Sequence, residues 1–375
     1  MITRELKLII LLPSICLMLS GCWGSRGISD QLYIEALGVD YKDGKYIVYT
    51  ESAIFSSIAK QEGGGGSQPS ESPVLVGKED AESLTMAFRK LEKASQYPLY
   101  YGHIQVILLS ERVINQKLKE VISHIGHDPL IRYTSWVFGT SEDLSAVLKT
   151  KSLFNQAPTY KVLYHPDIML SRNHAVNPLN MQMLLRGGNE PYGSILIPNV
   201  AITEGEWQED EKKPPTPHVN GGFIVSKMKS KGFMPYEDLH GLQWLTEQQK
   251  ENKLEITHEE TVVELLVKGY KITLQEPVKD GLHYTVQLKT KAYIDESADE
   301  PSLSTLKKKI KQEIKNDVQR TFENGLEMDA DLYNLTESTY RKSPSLLKKY
   351  KLQGDSLSDI QVEVVIVNAG SQKYK

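Results

Sequence analysis

The run Leu282-His283-Tyr284-Thr285-Val286-Gln287-Leu288-Lys289-Thr290-Lys291-Ala292-Tyr293-Ile294, read with the segment after it, decides the fold class. Tyr284, Val286, Leu288, Thr290, Ala292 and Ile294 mostly alternate with Lys, Gln and Thr. A period of two puts the first set on one face, so this is a strand with one buried side. The period then changes. Leu303, Leu306, Ile310, Ile314, Val318 and Phe322 are spaced 3, 4, 4, 4, 4, the repeat of an amphipathic helix. Lys307, Lys308, Lys309, Lys311, Glu313, Lys315 and Arg320 occupy its other faces. With Glu313 and Asp317 in balance, the lysine run reads as a solvated face rather than a membrane-binding one. Asn324-Gly325 is expected to end the helix. A half-buried strand beside a one-stripe helix predicts sheet and helix in layers, an α+β (mixed α/β) fold.

Working outward, residues 260–274 form a second long strand and 360–367 a closing one. These complete a C-terminal α+β domain, residues 251–375, behind a linker at 248–252. Upstream, Ser194-Ile195-Leu196-Ile197-Pro198 and Gly222-Phe223-Ile224-Val225-Ser226 read as strands and 235–245 as a helix. They define a small middle domain, 186–250, with an exposed polar loop at 204–217. The N-terminal α/β domain, 22–185, starts with a hairpin around Asp43-Gly44. Helical stripes follow at 84–91, 113–125 (stopped by Gly126 and Pro129) and 141–148, and strands at 102–109 and 131–138. Residues 61–73 are rich in Gly, Ser and Pro and read as a flexible surface loop. They lack the Gly-Lys-Ser/Thr ending of a phosphate-binding loop.

The composition excludes several classes. Lys and Arg number 44 against 48 Asp and Glu, a net charge of −4 with no basic excess to suit nucleic acid. A mean hydropathy of −0.37 fits a soluble body rather than a polytopic membrane protein. Both cysteines, Cys16 and Cys22, lie at the amino terminus. There, Arg4 and Lys7 precede an apolar run from Leu8 to Leu19, followed by Leu19-Ser20-Gly21-Cys22. A short positive region, an apolar core too short to span a bilayer and a small-residue cleavage site define a secretory signal over 1–21. Leu19, Ser20, Gly21 and Cys22 resemble the lipobox of bacterial lipoproteins. Small Ser20 and Gly21 fit a peptidase groove, and the Cys22 thiol is the nucleophile able to take a diacylglycerol. The mature chain would begin at Cys22, carrying S-diacylglycerol and N-acyl groups.

No catalytic, cofactor-binding or metal site is legible. His124 and His127 are three apart with Gly126 between them, and His258 has no spaced ligand partner. No Gly-x-Ser-x-Gly elbow occurs. The chain reads as a non-enzyme.

Cys22-Trp23-Gly24-Ser25 running into Tyr33-Ile34-Glu35-Ala36-Leu37-Gly38-Val39-Asp40 resembles the start of the Ger(x)C family, the C-type lipoprotein subunits of bacterial spore germinant receptors. Gly102-His103-Ile104-Gln105, Gly221-Gly222-Phe223, Gly241-Leu242-Gln243-Trp244 and Glu260-Thr261-Val262 resemble further family segments in the same order. Gly24 stands where the family often has an acid, and Tyr350 and Leu352 lie where it often has a Trp. The resemblance implies three consecutive domains and a place on the outer face of the spore inner membrane. It also implies assembly with A-type and B-type integral membrane subunits, with Cys22 as the functional position carried over. The competing reading is a solute-binding lipoprotein of a transporter; a cell-wall hydrolase gains no support from any motif.

Overall fold

The computed structural model describes residues 30–53, 74–150, 161–166, 175–205, 207, 213–245, 251–256, 261–278, 280–296, 302–357 and 359–367. The strands are β1 Leu32–Tyr33, β2 Ala36–Lys42, β3 Lys45–Ala53, β4 Val74–Ala81, β5 Leu99–Tyr100, β6 Val106–Ser110, β7 Trp136–Thr140, β8 Ile195–Thr203, β9 Thr216–Ser226, β10 Lys229–Pro235, β11 Glu251–Ile256, β12 Thr261–Leu274, β13 Tyr284–Glu296 and β14 Asp359–Val367. The fold is α+β, as the two sequence periods predict.

Eight strands share one sheet in the order β10-β9-β8-β7-β6-β2-β3-β4. Its centre, β2, β6 and β7, is parallel, and antiparallel hairpins flank it. β6 is buried at every position, the mark of a strand covered on both faces. Leu37, Ile107, Leu109 and Val137 point to one side. There they meet α1 (Leu84–Ala94), α2 (Glu111–Gln116), α3 (Leu118–His127) and α5 (Met181–Asn189). Ala36, Val106, Leu108 and Phe138 point to the other, against α4 (Leu144–Lys149). Side-chain caps start these helices except α3. Ser83 accepts from Met86 N at 3.3 Å, Asp143 from Ala146 N at 2.9 Å and Asn180 from Met183 N at 2.9 Å.

Several expected elements shift. The stripe at 113–125 divides at Lys117, whose φ of −134° breaks the helix into α2 and α3. Gly126 does not stop α3, which continues to His127. Residues 101–103 form a 3-10 turn before β6, and β7 starts only at Trp136, because Asp128 and the residues after it turn first. Residues 235–245 are helical, but as a 3-10 segment, Tyr236–Trp244. Residues 186–250, expected as a separate middle unit, place β8, β9 and β10 in the eight-stranded sheet. β8 continues it from β7 through Gly139 and Asn199. A strand's own pattern shows that it has a buried face, not which sheet completes it.

The second sheet runs β11-β12-β13-β14, antiparallel except for the parallel β13–β14 pair. Parallel neighbours need a crossover, which α6 (Leu303–Glu327) begins and α7 (Leu335–Lys342) and α8 (Leu346–Lys349) continue. The predicted stripe Leu306, Ile310, Ile314, Val318 and Phe322 is buried against Val286, Leu288 and Val362. α6 passes through Asn324-Gly325 and stops at Glu327. Gly325 is there for closeness: a Cβ would lie 3.0 Å from the Ala330 carbonyl oxygen. The left-handed residue that turns the chain away is Asp329, φ 51°. The loop at 61–73 lies outside the described residues.

Candidate functional site

Leu19, Ser20, Gly21 and Cys22 lie outside the described residues, which start at Asp30. From there the chain enters through β1, parallel to β5, and passes into β2. The segment that would carry the anchor therefore feeds the edge of the sheet where the parallel strands begin.

Just inside this edge the sheet buries charge. Glu51, on β3, is fully buried, and Lys161 Nζ donates to its Oε1 at 2.7 Å and to the Leu148 carbonyl at 2.6 Å. Glu35 is also buried, and its backbone N–H donates to the Glu51 carbonyl at 2.8 Å. Burial, helped by repulsion from Glu51 and opposed by Lys161, pushes the Glu35 carboxyl up to about 7. Burial also raises Glu51, and Lys161 works against this. At the opposite ends of the strands, Arg112 donates to both Asp40 oxygens, at 3.0 and 2.5 Å. Burial would raise Asp40, but Arg112, Ser110 and the Tyr41 amide together hold it below the usual carboxylate range. At this end of β2 and β6, where an open α/β sheet often takes a ligand, buried Asp40 is thus already paired with the half-exposed Arg112.

The two sheets meet in a polar seam around a small core of Val219, Ile224, Met234, Leu239 and Ala330. Asn334 Oδ1 accepts from Ser194 N at 2.8 Å, and Asp331 N donates to Ser194 Oγ at 3.2 Å. Thr321 Oγ1 donates to the Asp238 carbonyl at 2.7 Å and accepts from Gly241 N at 3.0 Å. Buried Trp244 donates through Nε1 to Asp317 at 3.0 Å. Gly241 has no room for a Cβ, which would lie 2.5 Å from the Asp317 carbonyl oxygen. Arg341 spans Glu190 at 3.2 Å and Glu337 at 2.5 Å beside a cavity of about 230 Å³. These bonds fix one sheet's attitude to the other. They align no nucleophile with a base.

The histidines are occupied in other ways. His124 stacks on Phe88 with ring centroids 6.0 Å apart, and His127 Nδ1 lies 2.5 Å from the Ser123 carbonyl. His258 lies outside the described residues. Among the described residues, no group of three or more His, Cys, Asp or Glu is placed to hold a metal, and no helix is long and apolar enough to cross a membrane. The sequence reading missed Glu35, Glu51 and Lys161. The available signal was an acid inside each of two β-rich runs; Lys161 gave none.

The family model described as spore germination protein N-terminal domain matches residues 24–202. That described as spore germination B3/GerAC like, C-terminal, matches residues 220–370. Spore germination protein KC of Bacillus subtilis (strain 168) is 21% identical over 398 residues, spanning 97% of this chain and 94% of that protein. Spore germination protein A3 of the same organism is 26% identical over 244 residues, 62% of this chain and 59% of that one. The crystal structure of the GerBC protein has the same fold, with a TM-score of 0.52 at 15% identity over 89% of this chain and 97% of that one. Matched by these two models along most of its length, the chain belongs to the GerAC-like family of spore germination proteins, the Ger(x)C family.

Proposed function

We propose that this protein is the lipid-anchored, non-catalytic subunit of a spore germinant receptor. It assembles with A-type and B-type integral membrane subunits on the outer face of the spore inner membrane and is needed for nutrient-triggered germination. The observation that carries the reading is the full-length likeness to a spore germination protein joined to a lipobox ending at Cys22. Cleavage before Cys22 and its acylation hold the body at the membrane. Confinement raises encounter with membrane subunits without any new contact. A body built around a fixed seam, with its buried ions paired internally, suits a structural part of an assembly.

The test uses spores carrying wild-type protein, a deletion, or Cys22→Ala, scored for dipicolinic acid release across a nutrient panel. Loss of the response to one set of nutrients in both mutants is the expected result. Normal release with every nutrient, together with reduced uptake of a solute in growing cells, would replace this reading with a solute-binding lipoprotein.

A further inference from the structure

Seven residues separate Cys22 from Asp30, a span of eight Cα–Cα steps. An extended chain spans at most about 3.6 Å per step, so Asp30 lies within about 29 Å of a lipid carried at Cys22. The edge it enters is set by strand pairing. Ala36 pairs in parallel with Val106, and Val106 with Trp136. The loops that lead into β6 and β7 therefore lie at the same edge as the incoming chain.

That edge has the chemistry of a membrane interface. The rings of Tyr33, Tyr100 and His103 gather there, with centroids 4.9 to 5.6 Å apart. Tyr97, in the loop before β5, is 52% exposed; Leu130 and Tyr133, in the loop before β7, are 45% and 50% exposed. Beside them His103, Arg132 and Trp136 line an open cavity of about 370 Å³. Asp128, the acid of this loop, accepts from Leu130 N at 2.9 Å. Tyrosine and tryptophan prefer the headgroup layer because the ring is apolar and its tip is polar. An arginine beside them offers a forked donor to a phosphate.

We infer that this edge, centred on Tyr97, Leu130, Arg132 and Tyr133, is a membrane-contact surface that beds shallowly into phospholipid headgroups. The inference rests on Cys22 being the lipid anchor. It sets the orientation of the body: the start of the parallel strands faces the bilayer, and the Asp40–Arg112 end faces away. The lysine face of α6 is the competing lipid-facing surface, but no short tether holds it near the bilayer.

The test uses the mature lipidated chain, which begins at Cys22 and, with that thiol acylated, has no free thiol. Single substitutions Tyr97→Cys, Leu130→Cys, Lys308→Cys and Gln361→Cys each receive a bimane label. Each protein is reconstituted in vesicles of equimolar phosphatidylethanolamine and phosphatidylglycerol, with and without brominated acyl chains. The expected result is that brominated lipid removes about half the emission at 97 and 130 and leaves 308 and 361 unchanged. If the protein floats with the vesicles but 97 and 130 stay unquenched, the surface assignment fails while the anchor stands. This includes the case in which the edge contacts only a membrane subunit. Quenching at 308 instead would give the contact to α6. If the protein does not float at all, the anchor reading fails and takes this inference with it.

Discussion

The eight-stranded sheet carries helices on both faces, whereas the four-stranded sheet has α6 on one face and water on the other. The outer face of the smaller sheet shows it: Gln287, Lys289, Gln361 and Glu363 are exposed, with Lys289 and Glu363 3.2 Å apart. Double coverage leaves no wet face to the central strands of the larger sheet. A charge there must find its partner inside the protein. Lys161 and Glu51 do so, at 2.7 Å. The main core of the smaller unit is made of apolar side chains, with the seam as the place for its buried acids. Two-sided burial thus commits the larger sheet to internal ion pairing, and one-sided burial spares the smaller one.

The largest effect should come from breaking that pair. Lys161→Ala leaves Glu51 buried and uncompensated and should cost about 3–5 kcal/mol, read by urea unfolding. A loss below about 1 kcal/mol would mean that water reaches the pair and that the contrast between the sheets is false. In the smaller unit, Ile310→Ala removes a fully buried side chain and should cost about 3 kcal/mol through transfer and cavity terms. This loss should be the same at pH 5 and pH 8, since the cluster that Ile310 packs into is made of hydrophobic side chains.

A smaller effect sharpens the contrast through pH. The folded protein holds the Glu35 proton up to about 7, whereas an unperturbed glutamate releases it near 4.5. Across that window the folded state binds more protons, so this group's contribution makes stability fall as pH rises. Glu35→Gln should lessen the slope and raise stability at pH 8 by about 1–3 kcal/mol, with little change at pH 4. Thermal denaturation across pH 4 to 8 checks it, and an unchanged slope would relieve Glu35 of the role. The smallest effect belongs to the seam's rim. The Arg341 side chain is 63% exposed, so Arg341→Ala should cost no more than about 0.5 kcal/mol in the same unfolding assay.

The elements differ in how far they could be read before folding. In α6 the stripe from Leu306 to Phe322 is local, since burial on one side only leaves a 3.6-residue period in the sequence. β13 keeps its alternation for the same reason. β6 is buried all along, so its sequence carries no alternation to mark its neighbours. β8 and β9 read correctly as strands, but their sheet was invisible, because the contact through Gly139 and Asn199 joins residues 60 positions apart. Lys161 was illegible for a related reason: its partner Glu51 is 110 residues away.

By itself the sequence determined the α+β class, the helix-on-sheet layer of the C-terminal region, the family likeness, and Cys22 as the expected attachment point. Each depends on residues close together in the chain, where period, spacing and side-chain chemistry act directly. Only the tertiary structure decided that β8, β9 and β10 extend the first sheet and that Lys161 meets Glu51. It also decided that Asp40 meets Arg112 at the far ends of the strands, and that the incoming chain shares an edge with Tyr97 and Leu130. These are pairings between distant segments, and their register is set by burial and hydrogen bonding that exist only once the sheets have formed.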